Sequence, residues 1–211
     1  GFYTSPHLKD FRERIRVNGA MIPEAAVTAF VERYKDRFEP IAPSFFEWTV
    51  ALAFDHFRAV GTDIAVIETG LGGRLDSTNV VSPDVSVITN IGWDHADLLG
   101  GSLEAIAGEK AGIIKPGVPV VVGEAEGQVA EVLRAKAEAE RAPWRLVDQT
   151  APMPYALDLA GPHQERNART VLAAVEVLRR QGWAITDAHM ARGLAKTCRN
   201  TGFAGRWQVI G

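Results

Sequence analysis

Apolar residues along this chain fall into two alternating patterns. Short runs rich in β-branched residues, "DIAVIE" (63–68), "DVSVIT" (84–89) and "VPVVVG" (118–123), are nearly continuous in hydrophobicity, with "WRLV" (144–147) a weaker fourth. Such runs predict strands buried on both faces. Between them the apolar period lengthens to that of a helix. Pro23 opens "PEAAVTAFVERYKDRF", a first-turn position that suits proline. "SFFEWTVALAFDHFRAV" carries Ser44 followed three residues later by Glu47, a capping box. "SLEAIAGEKAGII" starts on Ser102, with Glu104 one residue early for the reciprocal bond. "GQVAEVLRAKAEAERA" and "NARTVLAAVEVLRRQG" are amphipathic, the second closed by Gly182. Residues 149–163, with their prolines, read as an irregular connection.

Strand–helix alternation of this kind predicts an α/β fold, with a mostly parallel, doubly wound sheet and right-handed crossovers. Ligands of such sheets gather at the carboxyl ends of the strands. Composition narrows the choice further. The 211 residues are 46% hydrophobic and 23% charged, with 23 Lys+Arg against 26 Asp+Glu, a net charge of −3. Mean hydropathy is −0.03. No basic run suits a nucleic-acid backbone, and no apolar stretch reaches the roughly 18–20 residues of a membrane span. The single cysteine, Cys198, leaves no disulfide framework, so a reducing cytoplasm is expected. "GFYTSPHL" reads as the tail of a strand already under way, and "GRWQVIG" as the start of another. A fragment of a longer protein is therefore expected.

The stretch "VIETGLGGRLDSTN" (66–79) concentrates the chemistry. It has the glycine-rich turn of a phosphate cradle but not its details. Gly70 and Gly72 fit the dinucleotide fingerprint, whereas the third position is Leu75 and a polar loop replaces the helix. "AGEKAG" lacks the Gly-Lys-Ser/Thr of a Walker loop. Glu68, closing an apolar run, would be a costly bare carboxylate without a partner. A hard divalent cation that also attracts phosphate would provide one. The next strand runs out into Asp94 and His95, and His95 is either a metal-site residue or an ordinary loop histidine.

Five segments together, "TSPHL" (4–8), "SFFE" (44–47), "IETGLGGRLDSTN" (67–79), "ITNIGWDH" (88–95) and "GEKAGI" (108–113), resemble the folylpolyglutamate synthase/dihydrofolate synthase family, the folate branch of the Mur-type ATP-dependent amide ligases. The likeness runs from residue 3 to about 209 in the family's order. It implies a central ATPase domain over residues 1–204 and a junction at 205–211 toward a C-terminal domain. The family's phosphate loop and that C-terminal domain are absent from this sequence, so the fragment alone is expected to be inactive.

The resemblance implies two magnesium sites, with Ser5, Glu68 and His95 at metal-binding positions, and ATP as co-substrate. Lys110 matches a lysine that the family carries as a carbamate. Ser44, Phe45, Phe46 and Glu47, with Leu75, Asp76 and Ser77, match the pterin-binding segments, where aromatic faces suit a flat heterocycle and Asp76 suits its amino groups. Asn167 and Arg206 match nucleotide-contacting positions. The implied reaction joins L-glutamate to dihydropteroate or to a folate polyglutamate tail through an acyl phosphate. A monomer working on small molecules, without nucleic acid or membrane, is expected. The rival readings are a Mur-type ligase acting on a peptidoglycan precursor, a nicotinamide-binding oxidoreductase and a non-catalytic fragment.

Overall fold

The structure is a computed structural model, and it describes residues 1–93 and 96–202. The chain divides into two compact units, Gly1–Leu71 with Asp76–Val80, and Gly72–Leu75 with the residues from Val81 onward.

In the first unit, β1 (Phe2–Tyr3), β2 (Ile15–Val17), β3 (Ala20–Met21) and β4 (Val66–Ile67) form a sheet in the order β3-β2-β1-β4. The β1–β2 and β2–β3 pairings are antiparallel and the β1–β4 pairing is parallel. Helices α1 (Glu24–Phe38) and α2 (Phe45–Ala59) supply most of its core. The β2–β3 hairpin turns on Asn18 (φ 50°) and Gly19 (φ 83°). Two consecutive positive φ values define the turn type that matches strand twist, and Asn-Gly is its preferred sequence. Tyr3, Ile15, Ile22 and Ala53 are fully buried, packed with Phe30, Val50, Leu52 and Phe57. Around Phe30, the rings of Tyr34, Phe38 and Trp48 lie with centroids 4.8, 6.2 and 6.1 Å away, in tilted or edge-on contacts that suit the ring quadrupoles.

In the second unit, β5 (Ser86–Ile88), β6 (Val120–Val122) and β7 (Trp144–Leu146) form a wholly parallel sheet in the order β5-β6-β7. Six helices belong to its described residues: α3 (Ala96–Leu99), α4 (Leu103–Ala111), α5 (Gly127–Ala139), α6 (Pro162–Arg180), α7 (Asp187–Leu194) and α8 (Thr197–Thr201). Val120, Val121 and Val122 are buried completely on both faces, as a central parallel strand requires. Each contributes roughly 1.5–3 kcal/mol of apolar transfer. Ile114, Leu133 and Ala137 complete that core.

The α/β class and the parallel pairing match the sequence reading, but the expected strands divide between two sheets. The run at 63–68 is not a doubly buried strand. Only Val66 and Ile67 pair, and Val66 is 62% exposed, because among the described residues β4 has a partner on one side alone. α6 starts at Pro162, five residues before the amphipathic pattern begins. Pro162 has its φ preset for a first helical turn, and Gly161 before it takes φ 114°. Gly182, at φ 98°, closes the helix as expected. No helix among the described residues is long and apolar enough to cross a membrane.

Candidate functional site

The first unit gathers most of the sequence candidates. β1 delivers the chain into Thr4 and Ser5, and parallel β4 delivers it into Glu68, since Glu68 N donates to the Tyr3 carbonyl at 3.0 Å. Glu68 Oε2 accepts from Ser5 N at 2.9 Å and from the Thr4 hydroxyl. The carboxylate is exposed to solvent. That corrects the premise of a buried, costly charge: an edge strand leaves Glu68 hydrated, with local donors. Among the described residues no donor occupies Oε1, and Ser5 Oγ lies one residue from the Thr4 hydroxyl.

Glu13 shapes the segment that follows. Its carboxylate accepts from the amides of Leu8, Lys9 and Asp10 at 2.9, 3.1 and 2.9 Å, while Asp10 caps the 3₁₀ turn Phe11–Arg14. Those backbone donors hold the Glu13 carboxyl below its usual range. Asp10 is lowered to about 2, first by hydrogen bonds from the Arg12 guanidinium and then by the Arg12 amide. A folded-state value below the unfolded one gives stability that is complete above the unfolded pKa and is lost as pH falls through the folded value. An NMR titration of the Asp10 carboxyl is therefore expected to show a midpoint near 2, with the cap intact at pH 4. A midpoint near the usual carboxylate value would show that the cap does not form.

Ser44 and Glu47 form the expected capping box. Ser44 Oγ accepts from Glu47 N at 3.3 Å, and Glu47 accepts from Ser44 N at 2.6 Å, which lowers the Glu47 pKa. Ser102 caps α4 through Ala105 N at 3.2 Å without a reciprocal glutamate, as the early position of Glu104 implied.

The two phenylalanines of "SFFE" differ. Phe46 packs inward against the core, its ring 6.2 Å from that of Tyr3. Phe45 is 58% exposed. The Phe46 ring also explains Gly70, where a Cβ would lie 2.4 Å from Phe46 Cζ.

Asp76 serves its own loop. Oδ2 accepts from Gly70 N and Leu71 N, both at 2.9 Å, and Oδ1 accepts from Thr78 N at 2.9 Å and Thr78 Oγ1 at 2.5 Å. Each oxygen thus holds two donors, the usual capacity of a carboxylate oxygen. Ser77 opens the following 3₁₀ turn, and Leu75 is 79% exposed. Asp76→Ala should cost roughly 2 kcal/mol and accelerate amide exchange at Gly70, Leu71 and Thr78. Unchanged exchange there would show that the loop holds without the carboxylate.

The remaining candidates lie in the second unit or outside the described residues. Lys110 is half-buried near the end of α4 and makes no ion pair among the described residues. Its neighbour Glu109 pairs with Arg74, whose Nη2 and Nε donate to Oε1 at 2.9 and 3.2 Å. Arg74 N also donates to the Glu109 carbonyl at 2.8 Å. Asn167 Nδ2 donates to Gln164 Oε1 at 3.3 Å, and both residues line a largely apolar pocket of about 100 Å³ with Leu157, Leu159, Val171 and Leu194. His95 and Arg206 lie outside the described residues.

Two contributors escaped the sequence reading: Thr4 and Glu13. Only Glu13 had a local signal, since Asp10 and Glu13 have capping-box spacing.

The description "Mur ligase middle domain" belongs to the family model that matches residues 25–148, more than half of the chain. The chain belongs to the Mur ligase family. It is 37% identical, over its whole length, to the dihydrofolate synthase/folylpolyglutamate synthase of Bacillus subtilis, covering 55% of that protein. It is 36% identical over 92% of its length to the folylpolyglutamate synthase of Lacticaseibacillus casei, covering 53% of it. A solved FPGS–AMPPCP–folate complex superposes on all of the chain with a TM-score of 0.88 at 33% identity, and 58% of that structure is covered. Within the Mur ligases the chain is thus grouped with the folylpolyglutamate and dihydrofolate synthases. It spans about half the length of the curated relatives it matches.

Proposed function

We propose that the full-length protein is an ATP-dependent ligase that adds L-glutamate to dihydropteroate, to a folate polyglutamate tail, or to both. The observation that carries this reading is the Thr4–Ser5–Glu68 cluster, which holds a carboxylate by one oxygen, the other having no donor among the described residues. It occurs in a chain whose relatives carry the folate-ligase names. Solved neighbours with an ATP analogue and folate, and with DHPP and ADP, support the choice of substrates.

Glu68 and the Ser5 hydroxyl offer hard oxygen donors that fit a magnesium ion. Among the described residues no group of three or more His, Cys, Asp or Glu could hold a metal. A sparse oxygen set suits magnesium, which keeps water and substrate phosphates among its ligands. His95 is assigned to a second ion, Lys110 to an anionic carbamate, and Asn167 and Arg206 to the nucleotide. When bound, the ion supplies charge neutralisation on the transferring phosphate. Residues 44–47, with the exposed Phe45 ring, and residues 75–77 are assigned to the pterin.

The chemistry follows from these roles. An oxygen of the substrate carboxylate attacks the γ-phosphorus of ATP, and the bond from that phosphorus to ADP breaks. The amine of glutamate then attacks the carbonyl carbon of the acyl phosphate. The C–O bond to phosphate breaks, and the amine loses a proton as the amide forms. A cytoplasmic monomer is the proposed working form.

The test measures ADP release and glutamate incorporation by the full-length protein with ATP, magnesium and L-glutamate. Turnover should require dihydropteroate or a reduced folate. Turnover with a peptidoglycan precursor instead, or no glutamate joined, would reject the reading.

A further inference from the structure

Arg14 is a buried cation, 8% exposed, with no carboxylate paired to it among the described residues. A guanidinium in such a place is costly unless other groups take its donors and its face. Its Nε donates to His7 Nδ1 at 2.9 Å, which leaves the proton of a neutral His7 ring on Nε2. Its Cζ lies 5.4 Å from the centre of the Phe45 ring, within cation–π range. The Phe11 ring meets Phe45 edge-on with centroids 6.2 Å apart.

A second connection runs through the core. The Arg14 guanidinium charge also acts on Tyr3, whose Oη contacts Thr49 Oγ1 at 3.1 Å. Thr49 Oγ1 donates its only proton to the Phe46 carbonyl at 2.8 Å, so the tyrosine is the donor to Thr49. Hydrogen bonds thus run from Tyr3 through Thr49 to the backbone of Phe46, the residue after Phe45, beside the charge of Arg14. The Arg14 side chain thus reaches both the loop that carries Ser5 and His7 and the face of Phe45.

We propose that Arg14 is a positioning residue that fixes the Phe45 ring relative to the Ser5–His7 loop, and so sets affinity for the flat heterocycle of the substrate. This rests on the ligase reading, in which Phe45 presents the pterin. The role needs a planar group with donors on its edge and charge across its face. Lysine has one point charge on a flexible stem and cannot meet His7 and Phe45 together.

The experiment uses the full-length enzyme with Arg14→Met, Arg14→Lys, Phe45→Leu and the Arg14→Met/Phe45→Leu pair. Arg14→Met and Arg14→Lys should each raise KM and direct-binding Kd for the pterin substrate about tenfold. KM for ATP should rise clearly less than the pterin constants, because Asn167 and Arg206, the candidates for the nucleotide itself, are elsewhere in the chain. In the Phe45→Leu background, Arg14→Met should add less than about twofold, since the ring it positions is gone. Restoration by lysine, equal shifts in the pterin and ATP constants, or independent effects in the double variant would each overturn the proposal. Should Arg14→Met not fold, Arg14→Lys and Phe45→Leu decide alone, and wild-type pterin affinity in Phe45→Leu overturns it. A wild-type enzyme that joins no glutamate rejects the ligase reading and this proposal together. A working wild type with an indifferent Arg14 rejects the proposal only.

Discussion

Replacing Glu68 with glutamine in the full-length protein is expected to lower magnesium-dependent ATP use by about 100-fold or more, with a melting temperature shifted by less than about 2 °C. The two halves of this expectation have separate causes. Glu68 is exposed, so removing its charge leaves no cavity and strands no buried partner. Its folded-state role is to accept from Ser5 N and the Thr4 hydroxyl through one oxygen, and a glutamine carbonyl can accept both. What glutamine cannot supply is the anionic oxygen that a hard cation needs beside phosphate. Calorimetric titration with magnesium and a non-hydrolysable nucleotide gives a readout independent of turnover, and the ion-dependent part of binding should vanish. Wild-type activity, or parallel loss of activity and melting temperature, would assign Glu68 a structural role.

The largest stability loss should come from Gly112→Ala. A Cβ at Gly112 would lie 2.3 Å from Arg74 Cα and 2.7 Å from Arg74 N, a collision with backbone that no rotamer relieves. Arg74 is held there by its amide bond to the Glu109 carbonyl and by its guanidinium on Glu109. Moving it apart would cost about 3 kcal/mol and lower the melting temperature by at least about 5 °C. Gly108, on the same helix, has no atom within 4 Å of its Cβ position, so Gly108→Ala should be neutral or stabilise by up to about 1 kcal/mol. Equal melting temperatures for the two variants would show that the 72–75 segment does not rest on the end of α4.

Both predictions bear on how much of the site could be read from the chain. Glu68 was visible because a charge interrupts an apolar run, but its exposure was not, since that depends on β4 being an edge strand. The Ser44–Glu47 box was legible because capping is a contact between residues three apart. The Asn18–Gly19 turn carried an equally local signal, and it accounts for the β2–β3 hairpin. The Gly112–Arg74 contact had no such signal. Nor did the hydrogen bonds from Tyr3 through Thr49 to Phe46, which join β1 to α2, or the approach of Arg14 to Phe45.

Asp76 marks the boundary between the two kinds of information. Its type and spacing suited a ligand-pairing carboxylate, yet four loop donors take both of its oxygens. Residue type fixes what a side chain is able to bind, and the surrounding fold determines what it does bind.

The sequence by itself determined the α/β class, the limits of α1 and α2 to within a residue, and the candidate segments for chemistry. These follow from periodicity, caps and charge, which act over a few residues. Tertiary structure alone decided that the strands split into two sheets, that Phe46 turns inward while Phe45 stays in solvent, and that Arg14 lies buried against His7 and the Phe45 ring. Those outcomes depend on which distant segments meet, and pairing between such segments leaves no local trace in the order of residues.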